Sequence, residues 1–132
     1  MGMHAVRAAR NPGFERIVFQ FMGANLPGYQ IQWSQGPITT DGSGIPVSVN
    51  GAAYLRIALS SASRTDPSTG DITYAGPDRP VIKTSLITDL VLTGDFQSTL
   101  SWVAGASSVV PFRVFTLTAP SRLVVDLQSP GP

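Results

Sequence analysis

The sequence predicts an all-β fold, an antiparallel β-sandwich of two sheets with eight or nine short strands and little or no helix. Apolar and polar residues alternate with period two along most of the chain, which is typical of strands that turn one face to a core. β-Branched and aromatic residues fill these stretches. The chain has 13 glycines and 11 prolines among 132 residues, and they form turns at short intervals between the stretches. This combination is typical of sandwiches and barrels.

Five segments in the first half of the chain have the strand pattern. The clearest is "YQIQWS", in which Tyr29, Ile31 and Trp33 fall on one face and two glutamines fall on the other. Proline-glycine turns precede it, and the glycine-rich residues 35–46 follow it as a loop. The predicted strands in this half are residues 4–10, 16–22, 29–34, 46–51 and 53–60.

A long polar stretch, residues 61–80, separates the two halves. A loop of this length inside a compact domain is usually functional or mobile. The strand pattern then resumes in residues 81–85, 87–95, 96–105, 111–117 and 122–128. A turn of helix would fit best in residues 80–92, but valine, isoleucine and threonine in that window disfavour a helix.

The length suits one domain, which we place at residues 3–128. Met1 and Gly2 precede a second methionine, Met3, and we interpret them as a remnant of expression with further natural sequence upstream. Residues 129–132 are expected to form a loose tail.

Composition excludes several classes of function. The net charge is +1, and the nine basic residues are scattered singly, so no basic run predicts binding to nucleic acid or to an anionic membrane surface. The absence of cysteine excludes disulfides, thiolate zinc sites and a cysteine nucleophile. No apolar stretch approaches the roughly 20 residues of a membrane-spanning helix.

The sequence contains no recognisable catalytic motif. His4 is the single histidine, and no G-x-S-x-G pattern or phosphate-binding loop occurs. Two of Asp89, Asp95 and Asp126 could flank a cleft as glycosidases require, although Asp95 in "TGDF" suits a turn better. We therefore expect no catalytic residue, no metal site and no cofactor.

Two similar stretches near opposite ends of the chain carry a family resemblance. "FERIVFQF" at residues 14–21 and "PSRLVVDL" at residues 120–127 each place an arginine before an apolar run. Together with "LPGYQIQW" and "GDFQSTLSWVAG", they resemble the AMIN-like domain of actinobacterial secreted proteins and lipoproteins, over about residues 3–127. At the position of Gln20, members of this family often have an acidic residue. The matching positions are Arg16, Ile17, Val18 and Phe19 in the opening motif, and Pro120, Arg122, Leu123, Val124, Val125 and Asp126 in the closing motif.

The resemblance implies both a fold and a function. The fold would be a β-sandwich in which the two similar strands are related elements of two different sheets. The function would be that of a non-catalytic module that binds peptidoglycan or another cell-wall polymer. The alternative is a protein-interaction module of an envelope complex that uses an edge strand or an apolar patch. The resemblance implies a secreted or envelope location, with a lipid anchor in the full-length protein as one option.

Aromatic residues with a polar group are the first candidates for a ligand site, because flat rings stack on sugars. They include Tyr29, Trp33 and Trp102, although tryptophans in a small sandwich more often anchor the core. In the 61–80 loop, Tyr74 lies close to Asp78 and Arg79, and we expect Tyr74 to be exposed there. This loop is either a recognition loop or a solvated linker.

Charged residues in the two similar stretches are the second set of candidates. Arg16 or Arg122 could form a structural ion pair with Asp126 or Glu15, which would lock the ends of strands. Alternatively, the arginines could bind the carboxylate of a glycan or peptide with their planar guanidinium groups. The sequence favours the structural interpretation and leaves the other open.

Overall fold

The computed structural model describes residues 1–130. These residues form eight antiparallel strands and no helix. The prediction of an all-β sandwich is confirmed. The strands are β1 (Met3–Asn11), β2 (Phe14–Phe21), β3 (Gly28–Ser34), β4 (Ala53–Ser60), β5 (Ile87–Phe96), β6 (Thr99–Ala106), β7 (Phe112–Leu117) and β8 (Arg122–Gln128).

The strands form two four-stranded sheets that enclose one main core. Sheet 1 has the order β1-β2-β8-β7, and sheet 2 has the order β3-β4-β6-β5. Alternation along each strand sends every second side chain into the core, as β2 shows with buried Ile17, Phe19 and Phe21. The two sheets meet where the Phe19 ring of sheet 1 packs against the Trp102 ring of sheet 2, with centroids 5.9 Å apart.

The two similar strands are neighbours in one sheet. β2 and β8 pair antiparallel, with Arg16 opposite Asp126 and Phe19 opposite Leu123. The expectation that they belong to different sheets is wrong. Residues directly opposite each other point to the same face, so the alternating patterns of both strands are satisfied side by side. The rows that contain Phe19 and Leu123 enter the core, and the rows that contain Arg16 and Asp126 lie on the outer face of sheet 1.

Two predicted strands, residues 46–51 and 81–85, are loops. The first begins with Pro46, which has no N–H to donate, and makes only an isolated bridge with Thr39. Residues 35–52 instead lie over the outer face of sheet 2, where Ile38 and Val49 join a second small core with strand residues Val91 and Val103. The window 80–92 holds no helical turn, since its second half is part of β5.

The close contact of residues 35–52 with sheet 2 explains why position 105 is a glycine. A Cβ atom at Gly105 on β6 would lie only 1.9 Å from the Asn50 carbonyl oxygen. No larger residue fits there without displacing the loop. The outer face of sheet 2 is thus partly covered by residues 35–52.

The β5–β6 hairpin turns later than the sequence predicts. β5 continues through Asp95 to Phe96, and the two turn residues Gln97 and Ser98 have φ values of 52° and 61°. Two-residue hairpin turns favour positive φ at both turn positions. Asp95 is therefore a strand residue, and its carboxylate accepts hydrogen bonds from the Ser63 hydroxyl and the Arg64 N–H, both at 3.0 Å.

The long segment after β4 covers one side of the sandwich. It contacts β1, where the Met3 N–H donates to the Ser63 carbonyl at 2.8 Å, and β5, where the Leu92 N–H donates to the Asp78 carbonyl at 2.7 Å. The opposite side is formed by β3 and β7. Within residues 1–130, no backbone hydrogen bond reaches the outer edge of either of these two strands.

Both ends of the described chain are hydrogen-bonded. The Met1 ammonium donates to the Ser61 carbonyl at 2.7 Å, and the Gly2 carbonyl accepts from the Met22 N–H at 2.8 Å. In the expected tail, the Ser129 N–H donates to the Gly13 carbonyl at 3.0 Å. Residues 131 and 132 of that tail lie outside the described residues.

Candidate functional site

The outer face of sheet 1 brings together four arginines from four different strands. The strand register places Arg7 of β1, Arg16 of β2, Arg122 of β8 and Arg113 of β7 on this face, because each lies in the outward row of its strand. We call this surface the arginine face. Since each strand contributes a single arginine, the cluster exists only in the folded sheet.

The arginine face is more cationic than the chain as a whole. Its four arginines share the face with one acidic residue, Asp126, which gives the face a net charge of +3. The whole chain has a net charge of +1. The remaining surface is therefore slightly acidic, and the sandwich is electrostatically polarised, which attracts anions toward sheet 1.

The centre of the face is an ion pair with two parallel hydrogen bonds. Arg16 Nε donates to Asp126 Oδ1 at 2.7 Å, and Arg16 Nη2 donates to Asp126 Oδ2 at 3.0 Å. Arg113 Nη2 adds a longer contact to Oδ2 at 3.4 Å. Burial raises the pKa of Asp126, but the hydrogen bonds and positive charges of Arg16 and Arg113 together outweigh burial and hold that pKa below its usual value. The carboxylate therefore stays ionised at neutral pH.

Two phenylalanine rings lie against the central guanidinium groups. The Arg16 guanidinium lies 5.1 Å from the ring centre of Phe14 and 5.3 Å from that of Phe115. Arg113 lies 5.1 Å from the same Phe115 ring. Such cation–π contacts restrict the guanidinium orientation while leaving its edge able to donate hydrogen bonds. The centre of the face thus combines oriented donors with flat apolar surface.

The other two arginines of the face have no carboxylate partner among residues 1–130. Arg7 Nη1 donates to Gln20 Oε1 at 3.3 Å. Arg122 donates to the Pro120 carbonyl at 3.0 Å and to the Thr118 carbonyl at 3.3 Å. Both side chains therefore keep their full charge available for an external anion.

A cavity of about 260 Å³ adjoins one end of the arginine face. Its walls come from the β1–β2 turn and from the ends of β2, β7 and β8. Four residues of the outer face, Phe14, Arg113, Asp126 and Gln128, form part of the lining. The arrangement can accept an anionic or amide group beside Arg113 while an apolar ring or chain rests on Phe14. The complete lining is Gly13, Phe14, Pro111, Phe112, Arg113, Asp126 and Gln128.

Tyr74 and Trp102, both candidates for ligand stacking, lie in the main core. Trp102 is 1% exposed and Tyr74 is 6% exposed, and their rings pack edge to face with centroids 5.9 Å apart. The Tyr74 hydroxyl donates to the Pro77 carbonyl at 2.7 Å. The expectation that Tyr74 is exposed is wrong, because the 61–80 loop folds back and inserts this ring beside Trp102. Neither ring has a free face for a sugar.

Asp78 and Arg79 take part in separate ion pairs. Asp78 Oδ1 accepts from Arg64 Nη1 at 3.1 Å on the surface. Arg79 pairs with the buried carboxylate of Asp89 and donates to the Ser48 carbonyl at 2.6 Å. Arg79 thus joins β5 to the loop over sheet 2. Asp78 and Arg79 therefore do not form one binding site with the Tyr74 ring.

Tyr29 and Trp33 lie on the edge strand β3, away from the arginine face. Tyr29 is 48% exposed. Trp33 is half-buried, its ring packs on Phe112, and its Nε1 donates to the Val110 carbonyl at 3.0 Å. These two aromatic residues are therefore partly accessible, but they belong to a different surface.

The structure shows which of the alternative ion pairs of Arg16 and Arg122 is formed. Arg16 pairs with Asp126, whereas Arg122 reaches only backbone carbonyls within the described chain. Glu15 points into the core and accepts backbone N–H groups of residues 85–87. Asp89 lies on sheet 2 and Asp126 on the outer face of sheet 1, so they do not face each other across a cleft.

Sequence reasoning missed Arg7 and Arg113 and treated the basic residues as scattered. They are scattered along the chain, but the strand order β1-β2-β8-β7 gathers four of the nine. The outward position of each arginine within its own alternating segment was visible in the sequence. Which strands lie side by side was not.

No group of three or more histidine or acidic residues within residues 1–130 could hold a metal ion. That part of the chain also contains no helix long and apolar enough to cross a membrane.

These features define an all-β sandwich with one exposed cationic sheet face. Residues 2–129 match the family model of the AMIN-like domain, and the chain belongs to this family. AMIN-like domains are generally non-catalytic binding modules, associated with the cell envelope or with secreted proteins. No curated protein and no solved structure matches the sequence.

Proposed function

We propose that the protein is a secreted module that binds peptidoglycan through the arginine face. The observation that supports this function most is the presence of four arginines and a single carboxylate on one sheet face, where the Arg16 and Arg113 side chains are 32% and 74% exposed. Membership of the AMIN-like family supports a role in the cell envelope. Peptidoglycan is an insoluble polymer whose peptides carry many carboxylates, so it matches the charge of this face.

The proposed recognition has two parts. Arg7 and Arg122, which pair with no acidic residue of the described chain, bind carboxylates of the peptides by charge-assisted hydrogen bonds. Phe14 and Phe115, held beside guanidinium groups, offer flat surface for sugar rings or apolar peptide parts. Asp126 keeps Arg16 and Arg113 in place and limits the excess positive charge at the centre.

Co-sedimentation with purified insoluble peptidoglycan tests the proposal. The wild-type protein is expected in the pellet at low salt. The variant Arg7→Gln/Arg122→Gln should bind at least about tenfold more weakly, because two charge-assisted contacts are removed. Arg10→Gln/Lys83→Gln is the matched control, since it removes the same charge from positions outside the arginine face. Equal retention of the two double variants would contradict the proposal.

Two further conditions identify the interaction as electrostatic and the ligand group as carboxylate. Retention should decrease as sodium chloride rises from about 0.05 M to 0.5 M, because salt screens exposed charges. Peptidoglycan whose carboxylates have been converted to amides should retain little protein. Undiminished binding to the amidated polymer would show that the arginines recognise something else, and no retention of the wild type would reject wall binding.

A further inference from the structure

The edge strand β3 lacks the features that normally prevent edge strands from pairing with other chains. Natural edge strands are protected by charged residues, prolines or bulges. β3 has the sequence "GYQIQWS", with no charge and no proline, and it pairs with β4 over seven residues without a register shift.

The other three edge strands carry such protection. β1 has Arg7 and Arg10 and a register shift near its start. β5 has two register shifts, and the Asp78 carbonyl accepts a hydrogen bond from its outer edge. β7 carries the exposed Arg113. Only β3, among the four edge strands of the described chain, is left open to strand addition.

The sequence of β3 is nearly palindromic around Ile31. On either side of Ile31 come a glutamine and then an aromatic residue, giving Tyr-Gln-Ile-Gln-Trp. An antiparallel pair of two such strands, centred on Ile31, places Tyr29 opposite Trp33 and Gln30 opposite Gln32. Aromatic residues opposite each other stabilise antiparallel sheets, and opposed glutamine amides can hydrogen-bond to each other. The strand is therefore complementary to itself.

The faces of the strand also fit this pairing. Tyr29, Ile31 and Trp33 lie opposite the core residues Leu59, Ile57 and Leu55 of β4, so they belong to the inner face. They remain only partly covered, with Tyr29 48% exposed. Gln30 and Gln32 are exposed on the outer face. A second strand beside β3 would cover the inner row and leave the amides on the outside.

We propose that β3 is the contact of a symmetric homodimer, in which β3 of a second copy pairs antiparallel with β3 of the first. The two-fold axis passes beside Ile31, perpendicular to sheet 2, and joins the two copies of this sheet into one of eight strands. The occupant is a second copy because a two-fold contact requires a self-complementary surface, which the near-palindrome supplies. Pairing with a strand of an unrelated protein would not require the sequence of β3 to be symmetric.

This inference is independent of the proposed wall binding. Sedimentation velocity of the full chain, over about 1 μM to 1 mM, should show a reversible monomer–dimer equilibrium. Like charges introduced opposite each other should oppose it, so Gln30→Lys/Gln32→Lys and Gln30→Glu/Gln32→Glu should each raise the dimer dissociation constant at least about tenfold. Both substituted positions are exposed, and circular dichroism should confirm that the variants stay folded.

Combining the two variants provides the decisive control. An equimolar mixture of the lysine and glutamate variants should form heterodimers, visible by native mass spectrometry, because each introduced lysine of one copy would face an introduced glutamate of the other. The single-chain variant Gln30→Lys/Gln32→Glu should dimerise like the wild type or more tightly. A wild type that stays monomeric throughout, or a dimer indifferent to these charges, would overturn the proposal.

Discussion

The Glu15 carboxylate accepts a hydrogen bond from the Ile87 N–H at 2.8 Å, although the two residues are 72 positions apart. Its other oxygen accepts from the N–H groups of Leu86 at 3.0 Å and Ser85 at 3.2 Å. Glu15 lies on β2 in sheet 1, and Ile87 begins β5 in sheet 2. A single buried side chain, 1% exposed, thus connects the two sheets.

Replacement of Glu15 by alanine should destabilise the protein by about 3 kcal/mol, because several buried N–H groups would lose their acceptor. Glu15→Gln should cost less, since the amide oxygen can still accept one of these bonds. Urea unfolding followed by tryptophan fluorescence measures both values. Asp71→Ala removes an exposed acidic residue and should change stability by less than about 0.5 kcal/mol. A loss for Glu15→Ala no larger than this would contradict the assigned role.

Stability should decrease in acid, and Glu15 should cause part of the decrease. Burial raises the pKa of Glu15, but hydrogen bonds from the N–H groups of residues 85–87 and from the Thr84 side chain together outweigh it, so the folded-state pKa lies below the usual value of 4.5. The stabilisation is therefore fully present above pH 4.5 and is lost as pH falls through the folded-state pKa. In urea unfolding between roughly pH 7 and pH 3, Glu15→Gln should lose less stability than the wild type. Parallel pH profiles would argue against this linkage.

The ion pair between Arg16 and Asp126 should show energetic coupling in a double-mutant cycle. Asp126 has a side chain 7% exposed, and its replacement by alanine leaves Arg16 and Arg113 close together without a counter-charge. We expect a coupling of about 1 kcal/mol between Arg16→Ala and Asp126→Ala. Arg122→Ala combined with Asp126→Ala is the matched control, and its coupling should be near zero because Arg122 does not reach this carboxylate. Equal coupling in both cycles would refute the assigned pairing.

The two tryptophans should differ in fluorescence. Trp102 is buried in the core, and its indole N–H has no acceptor among residues 1–130, whereas Trp33 is partly accessible and donates to a carbonyl. In Trp33→Phe, the remaining emission should be blue-shifted and weakly quenched by iodide. In Trp102→Phe, the emission should be red-shifted and more readily quenched. The reverse order would show that Trp102 is accessible, as a ligand-stacking role would require.

The sequence predicted the fold class because alternation is a local property. β2 and β4 alternate almost perfectly between buried and half-exposed positions, and this pattern appears directly in their residues. Residues 46–51 misled the prediction because the same valine-rich alternation also suits a loop that covers sheet 2 with Val49. Local pattern does not show whether a hydrogen-bonding partner strand is present.

The candidate site could be predicted only in part. Arg16, Arg122 and Asp126 were recognised because they belong to similar motifs, but Arg7 and Arg113 lie in strands without such a motif. Tyr74 was misplaced because a polar loop sequence gives no indication that one of its rings enters the core. Each of these outcomes depends on contacts between residues far apart in sequence, which composition and spacing do not encode.

The position of β8 has a consequence for how the protein folds during its synthesis. β8 is the last strand in the sequence, yet in sheet 1 it lies between β2 and β7. β2 and β7 therefore have no pairing with each other, and sheet 1 cannot be completed until residues 122–128 have left the ribosome. Chains rich in such long-range pairings fold slowly. β8 also supplies Leu123, Val125 and Leu127 to the main core, so a nascent chain that has not yet released these residues lacks both the middle of sheet 1 and part of the core.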